Sequence, residues 1–407
     1  MTTGAALRTE HEAPGTRHEA SVSPAQMSRA ALGAHTHRGD ARVVEQLADD
    51  WRQLCEEGPC NEPFFRPEWI GAHLRAFAPN RRVRLLTVSA GTRLRAVLPL
   101  LDHRAWFCGL PARVLRSPTN DHSGRFDLAY GSGDGDAAIA CLWNHLKASS
   151  DWQVLSLQDV PAGGGGHRLV ELARRDGWPA ATAPTLATPF LPMVGVRDPV
   201  AAVRDGHFRQ NLRRRMRKAS ERWSVELQRT DHADLGALND FYGLEASGWK
   251  GRDRTAIACS PDTRRYWDEI ATAAARFGYL ALYILRFSGA PVASHFGLFH
   301  GGRYYIPKVA YDEQFASFGP GHLMIEAALR DCVGRGITEF DFVGPSMPWK
   351  LEWTDQVRPH ANCYIFRDNS YGRMLYTAKF HLDARLRSIA HHPRVARLRA
   401  RLTGATS

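Results

Sequence analysis

Tyr279-Leu280-Ala281-Leu282-Tyr283-Ile284-Leu285-Arg286-Phe287 is an apolar run without proline. Ser288-Gly289-Ala290-Pro291 supplies turn residues, Val292 to Phe299 is a second run, His300-Gly301-Gly302 a second turn, and Arg303 to Tyr311 a third run. Short apolar runs parted by glycine turns read as antiparallel strands. Ser317-Phe318-Gly319-Pro320-Gly321 then leads into Leu323-Met324-Ile325-Glu326-Ala327-Ala328-Leu329, a predicted helix that Gly334 and Gly336 end. Ile337 to Val343 reads as a last strand, broken by Gly344-Pro345.

The loop before the helix has a chemistry of its own. Gly319 and Gly321 carry no side chain, so a ligand can approach the backbone closely, and Pro320 fixes one φ angle. The helix start offers unpaired N–H groups and the positive end of its dipole, a candidate pyrophosphate cradle. His322 lies in its first turn and Lys308 on the strand leading to it. A glycine-rich helix start without any ligand is the competing reading.

The same order occurs earlier in the chain. Val83–Val88, Gly91 and Leu94–Leu100 read as a hairpin, Ile139–Leu146 as a helix and Trp152–Leu157 as a strand. Repetition of hairpin, helix and strand predicts two related α/β domains, packed side by side. The first copy has Gly131-Ser132-Gly133-Asp134-Gly135-Asp136 before its helix, where two carboxylates would repel phosphate. The candidate phosphate site therefore belongs to the second copy. Gly163–Gly166 reads as a linker, and Thr182–Pro192 as the crossover between halves. Asp40–Glu57, with apolar Val44, Leu47, Trp51 and Leu54, reads as one amphipathic helix. The predicted organisation is a disordered leader at 1–40, an N-terminal domain at 41–190, a C-terminal domain at 191–372 and a basic helical tail at 373–407.

From about Val43 to about Arg367 the chain resembles the GNAT acyltransferases, specifically the CelD/BcsL-like acetyltransferase branch, distantly related to the Fem-type aminoacyltransferases. The residues that carry the resemblance are Phe241-Tyr242 through Gly248-Trp249-Lys250-Gly251, Phe318-Gly319-Pro320-Gly321, Phe340-Asp341-Phe342, and Pro348-Trp349-Lys350 with Trp353. It implies two tandem GNAT-like domains, each a mixed, mainly antiparallel sheet flanked by helices. It further implies direct acyl transfer from acyl-CoA, acetyl-CoA first among them, to an amine on a small or carrier-linked acceptor. Acyl-CoA is then a co-substrate, with no permanently bound cofactor. An aminoacyl-tRNA donor, or a non-catalytic anion-binding scaffold in polysaccharide biosynthesis, are the alternatives.

Composition is compatible with these readings. Over 407 residues, 44% are hydrophobic and 23% charged, as in an ordinary globular protein of two domains. No apolar run approaches the ~20 residues of a membrane span. Seven scattered cysteines without a CxxC pair point to reduced thiols in a cytoplasm, and to no metal site. The net charge of +11 favours anionic partners. Its densest stretch is Phe208–Lys218, where Phe208, Leu212 and Met216 form a core-facing stripe and Arg209, Arg213 and Arg217 a cationic one. The basic helix Arg209–Arg222 is a candidate tRNA or carrier docking surface, or a solvated face.

Acyl transfer to an amine needs a base, donors for the oxyanion and a proton for the leaving thiolate. Glu339 and Asp341 lie two apart on one strand and share a face, where each would raise the other's pKa. The resembling motif carries Asp at 341, which makes Asp341 the expected base. Lys350 is expected to steady the tetrahedral oxygen and Tyr311 to protonate the thiolate. Trp249, Lys250, His295, Glu339 and Trp349 are expected to shape the acceptor site.

Overall fold

The computed structural model describes residues 31–382 apart from Cys60, Ala202 and Arg204. The strands of the N-terminal half are β1 (Leu32–Gly39), β2 (Arg82–Ala90), β3 (Arg93–Phe107), β4 (Leu110–Arg116), β5 (Ala129–Tyr130), β6 (Val154–Pro161) and β7 (Ala180–Pro192). Those of the C-terminal half are β8 (Val225–Thr230), β9 (Leu280–Phe287), β10 (Ala290–His300), β11 (Arg303–Tyr311), β12 (Glu339–Asp341) and β13 (Val357–Phe366). The described strands form one sheet in the order β1-β2-β3-β4-β6-β13-β7-β12-β11-β10-β9-β8, with β5 beside β3.

That order reads alike from either end. β4 pairs parallel with β6, and β11 parallel with β12; the other neighbours are antiparallel. Each half donates its last strand to the other: β13 lies against β6, and β7 against β12. The chain is thus α/β, two similarly ordered units whose mixed sheets are flanked by helices and joined by exchanged strands. A cut at residue 190 assigns β13 to the second unit, yet its ladder partner is in the first.

Several expectations need correcting here. Leu32–Gly39 is an edge strand paired along its length with β2, so the last part of the expected leader belongs to the sheet. Residues 1–30 lie outside the described residues. Asp40–Glu57 is not one helix but two, Arg42–Glu45 and Ala48–Glu57. Thr182–Pro192 is not a crossover loop but most of β7. Pro184 is tolerated because the ladder with β13 shifts register there, between Pro359 and Ala361. The tail forms a helix, Ser370–Thr377, and a further turn to Leu382; residues 383–407 lie outside the described residues.

Helices cover both faces of the sheet. Pro67–Phe77 begins with proline in its first turn, and Pro261–Arg276 does the same behind a Ser260 cap. Between these two helices Trp69, Tyr266 and Trp267 are almost fully buried and meet edge to face at centroid distances of 5.3–6.0 Å. Edge-to-face pairs add about 0.5–1.5 kcal/mol each beyond the area they bury. This aromatic cluster fixes one half against the other.

Candidate functional site

The site lies where β11 and β12 part. Their parallel pairing covers Arg303–Tyr305 against Glu339–Asp341 only. β11 runs on to Tyr311, so its last residues present a free edge. A cavity of about 510 Å³ opens along it, within the usual range for ligand sites. Helices from the two sheet faces meet there. Pro320–Gly334 packs with Tyr283 and Leu285, and Leu235–Ser247 with the alternate β9 residues Leu282 and Ile284.

At one end of the cavity are Gly319, Pro320, Gly321 and His322. Gly319 has φ 62°, a left-handed conformation that glycine adopts without strain. A Cβ on it would lie 2.9 Å from Arg215 Cδ, so the bare backbone also lets Arg215 cross beside the loop. Arg215 comes from the basic helix Gly206–Ser220, which Asp205 caps through the His207 and Phe208 amides. Among the described residues Arg215 has no ion-pair partner. The two carboxylates in the cavity wall are both matched: Glu313 by Arg252 at 2.8 Å and Glu245 by Lys250 at 2.8 Å. Arg215, within electrostatic reach of Glu352 but not ion-paired with it, thus sets a positive charge beside a helix start at the Gly319 end.

At the other end Glu245 is almost fully buried. Its second oxygen accepts the Ile257 amide at 2.8 Å, while Lys250 Nζ also donates to Val309 O on the free strand edge at 3.3 Å. Gly248 ends the long helix, and Trp249–Arg252 makes a separate turn that folds Lys250 back onto Glu245. Trp249 and Tyr311 stand half-exposed at the wall, with Trp349 nearby. His295, on β10, is 2% exposed and its Nδ1 has no partner. Burial holds its pKa down at about 3, so it is a neutral imidazole. His322 is likewise neutral, lowered to about 4 by burial and then by Arg215, and its buried Nδ1 is also unpartnered.

Of the residues singled out in the sequence, Gly319, Pro320, Gly321, His322, Trp249, Lys250, His295, Tyr311 and Trp349 line this one cavity. Four do not. Asp341 is fully buried between Arg125, from the N-terminal half, and Arg358, 2.8 Å away. Burial alone would raise its pKa, but Arg125, Arg358 and the Val343 amide outweigh that and hold it below the usual carboxylate range. Asp341 is held as a buried, doubly paired anion outside the cavity wall, where the expected base would have to stand. Glu339 shares its face as expected, but Arg358 bridges the two at 3.0 and 2.8 Å, which removes the mutual repulsion. Lys350 is buried and donates to Val343 O at 2.6 Å and Pro345 O at 2.9 Å, clasping the turn after β12. Burial lowers its pKa to about 8. Lys308 points to the seam between halves, 3.0 Å from His122 Nδ1, with its pKa lowered to about 8 by burial, then by Lys250.

Glu245, Arg215 and Glu313 are the wall residues that sequence reading missed. Glu245 had a signal, standing five residues before Lys250 across a glycine break. Arg215 was hidden among equivalent arginines.

Residues 206–351 match the family model described as an acetyltransferase (GNAT) domain. No curated protein matches the chain. A crystal structure of FemX is similar with a TM-score of 0.57 and 12% identity, over 84% of this chain and 100% of that one. A conserved protein of unknown function from Bacteroides thetaiotaomicron is similar with a TM-score of 0.51 and 10% identity, over 78% of this chain and 97% of that one. At such identities the likeness is one of fold.

Proposed function

From the premise that the chain is a GNAT-superfamily protein with a GNAT-type acyltransferase domain, we propose that it moves an acyl group from acyl-CoA, acetyl-CoA in the simplest case, to an amine. One observation carries the reading: the cavity joins an anion-attracting helix start to a buried carboxylate–ammonium pair along a free strand edge. The Gly321 amide and Arg215 take the pyrophosphate, since Gly319 already donates to Ala316 O and Pro320 has no N–H. The pantetheine thioester lies along Val309–Tyr311. The acceptor amine enters between Trp249 and Trp349, and loses a proton to Glu245, whose charge Lys250 and the Ile257 amide hold in place. The C–N bond forms as the C–S bond breaks, and Tyr311 O–H supplies the thiolate's proton. Neutral His295 offers a hydrogen bond to the bound acyl or acceptor group. Direct transfer suffices, with no covalent enzyme intermediate.

Calorimetry with CoA on the full chain tests this, together with the mass of any ligand that co-purifies. Saturable heat with a stoichiometry of one is expected. A second reading, an aminoacyl-tRNA donor, is favoured by Arg213, Arg214 and Lys218, which are exposed and have no carboxylate partner among the described residues. Co-purified tRNA with no heat from CoA would put that reading first.

A further inference from the structure

The basic helix does not show one undivided charged face to solvent. Arg215, Lys218 and Arg222 are three and four residues apart, so they line up on one side. Arg215 sits beside Gly319 in the cavity wall. Arg222 lies over the Phe318 ring, 5.5 Å from its centroid. The stripe therefore runs along the Phe318–Gly319 loop and outward from the cavity, roughly 5 and then 10 Å beyond Arg215 along the axis. None of the three has a carboxylate partner among the described residues. Arg217 does approach one, Glu221 at 3.7 Å. Glu352 lies within electrostatic reach of Arg215 and pairs with His322 at 3.2 Å. Like charges lined up without carboxylates repel one another unless an anion lies between them. Arg213 and Arg217 fall on the opposite side of the helix, whereas Arg214, four residues before Lys218, borders the stripe.

We propose that Lys218 and Arg222 form a second phosphate subsite, continuous with Arg215, that takes the 3′-phosphate of the donor's adenosine. The inference rests on the acyl-CoA reading and deepens it. The pyrophosphate occupies the Gly319 end, and the phosphomonoester lies outside the cavity on the stripe. The site then selects a 3′-phosphorylated donor rather than any pyrophosphate.

The test compares CoA with dephospho-CoA by calorimetry on three full-length proteins: wild type, Lys218→Gln/Arg222→Gln and Arg213→Gln/Arg217→Gln. The two variants remove equal charge, and thermal melts check that both fold. Wild type is expected to bind CoA about tenfold tighter than dephospho-CoA, one charge-assisted contact's worth of discrimination. The stripe variant should bind both alike, and the Arg213/Arg217 variant should keep the preference. Equal binding of both ligands by wild type, or a preference that survives in the stripe variant, overturns the subsite and leaves the donor reading standing. If wild type binds neither ligand, or binds tRNA in their place, the donor reading falls and the subsite with it.

Discussion

In the N-terminal half, the chain that leaves β4 folds back along β6. Ser117 and Phe126 donate their amides to Ser156 and Asp159 carbonyls, and Ser117 Oγ accepts the Gln158 amide at 3.0 Å. In the C-terminal half, β11 overruns its short pairing with β12, and among the described residues no strand pairs with its last residues, along which the cavity opens. A second contrast follows the first. The glycine run at 163–166 begins the helix Gly165–Arg175, and Asp127 occupies that start, accepting the Gly165 and Gly166 amides at 2.7 and 2.9 Å. Burial pushes Asp127 up to about 7 against those bonds. At Pro320–Gly334 the helix start is left facing the cavity. One topology thus yields a plugged unit and an open one. The plug reaches into the open unit too, because Arg125 on the filling loop is the partner of Asp341.

Breaking that reach should have the largest effect. Asp341→Ala leaves Arg125 and Arg358 facing each other, with Arg125 wholly buried, and removing one partner of such a cluster costs about 3–5 kcal/mol. The urea midpoint should fall accordingly, while CoA affinity of the folded protein stays within about threefold of wild type. The pH dependence follows from the depressed carboxylate. Its folded pKa lies below the unfolded one, so its contribution is complete above about pH 4 and is lost as pH falls through the folded value. A variant of normal stability with an abolished rate would return Asp341 to the chemistry.

Asp341 has partners that no local pattern announces. Alternation along the strand placed Glu339 and Asp341 on one face, and both do meet Arg358. Their actual neighbours are 216 positions upstream, for Arg125, and 17 downstream, for Arg358, and no local pattern reports such distances. The glycine loop and its helix were legible because a left-handed Gly319 and a first-turn proline are local backbone facts. The order of elements was legible for the same reason, but the exchange of β7 and β13 was not. A strand's own sequence states its face, not its partner, and proline-rich β7 looked like a connection.

If Glu245 is the base of the open unit, Glu245→Gln should lower the rate by about 10²–10⁴, the ordinary worth of general base catalysis. CoA affinity should stay near wild type, because glutamine keeps the side chain's shape and its one oxygen still accepts from Lys250, at the cost of the bond from the Ile257 amide. Single-turnover rates at saturating donor check this. A full rate would leave proton removal to water or His295.

Two left-handed glycines sharpen the contrast at lower amplitude. Gly319 has φ 62° and Gly163 φ 78°. Valine at either position should cost about 1–2 kcal/mol of left-handed strain. Nothing lies within 4 Å of a Cβ at Gly163, whereas at Gly319 it meets Arg215 at 2.9 Å. Gly319→Val should therefore weaken CoA binding by at least about tenfold, one lost charge-assisted contact, and Gly163→Val should leave it unchanged. Equal losses of CoA affinity would mean that the effect is general loosening of the fold.

The smallest effect is expected at Tyr311, the last residue of the strand that overruns its partner. It is 40% exposed, and a Cβ added at Gly321 would lie 3.7 Å from its ring. As the acid for the departing thiol it faces a weak demand. A thiol of pKa about 8.5 leaves readily as the thiolate, so protonation lowers the barrier far less than it would for an alkoxide. Tyr311→Phe should reduce kcat only about three- to tenfold near neutral pH, well under the usual worth of acid catalysis. The deficit should shrink as pH rises through the thiol pKa, since the free thiolate then needs no proton. The measurement is the ratio of wild-type to Tyr311→Phe kcat between about pH 6.5 and 9, around that pKa. A ratio that stays constant across the range would make Tyr311 a wall of the cavity rather than an acid. A deficit confined to donor KM would place its hydroxyl on the pantetheine arm.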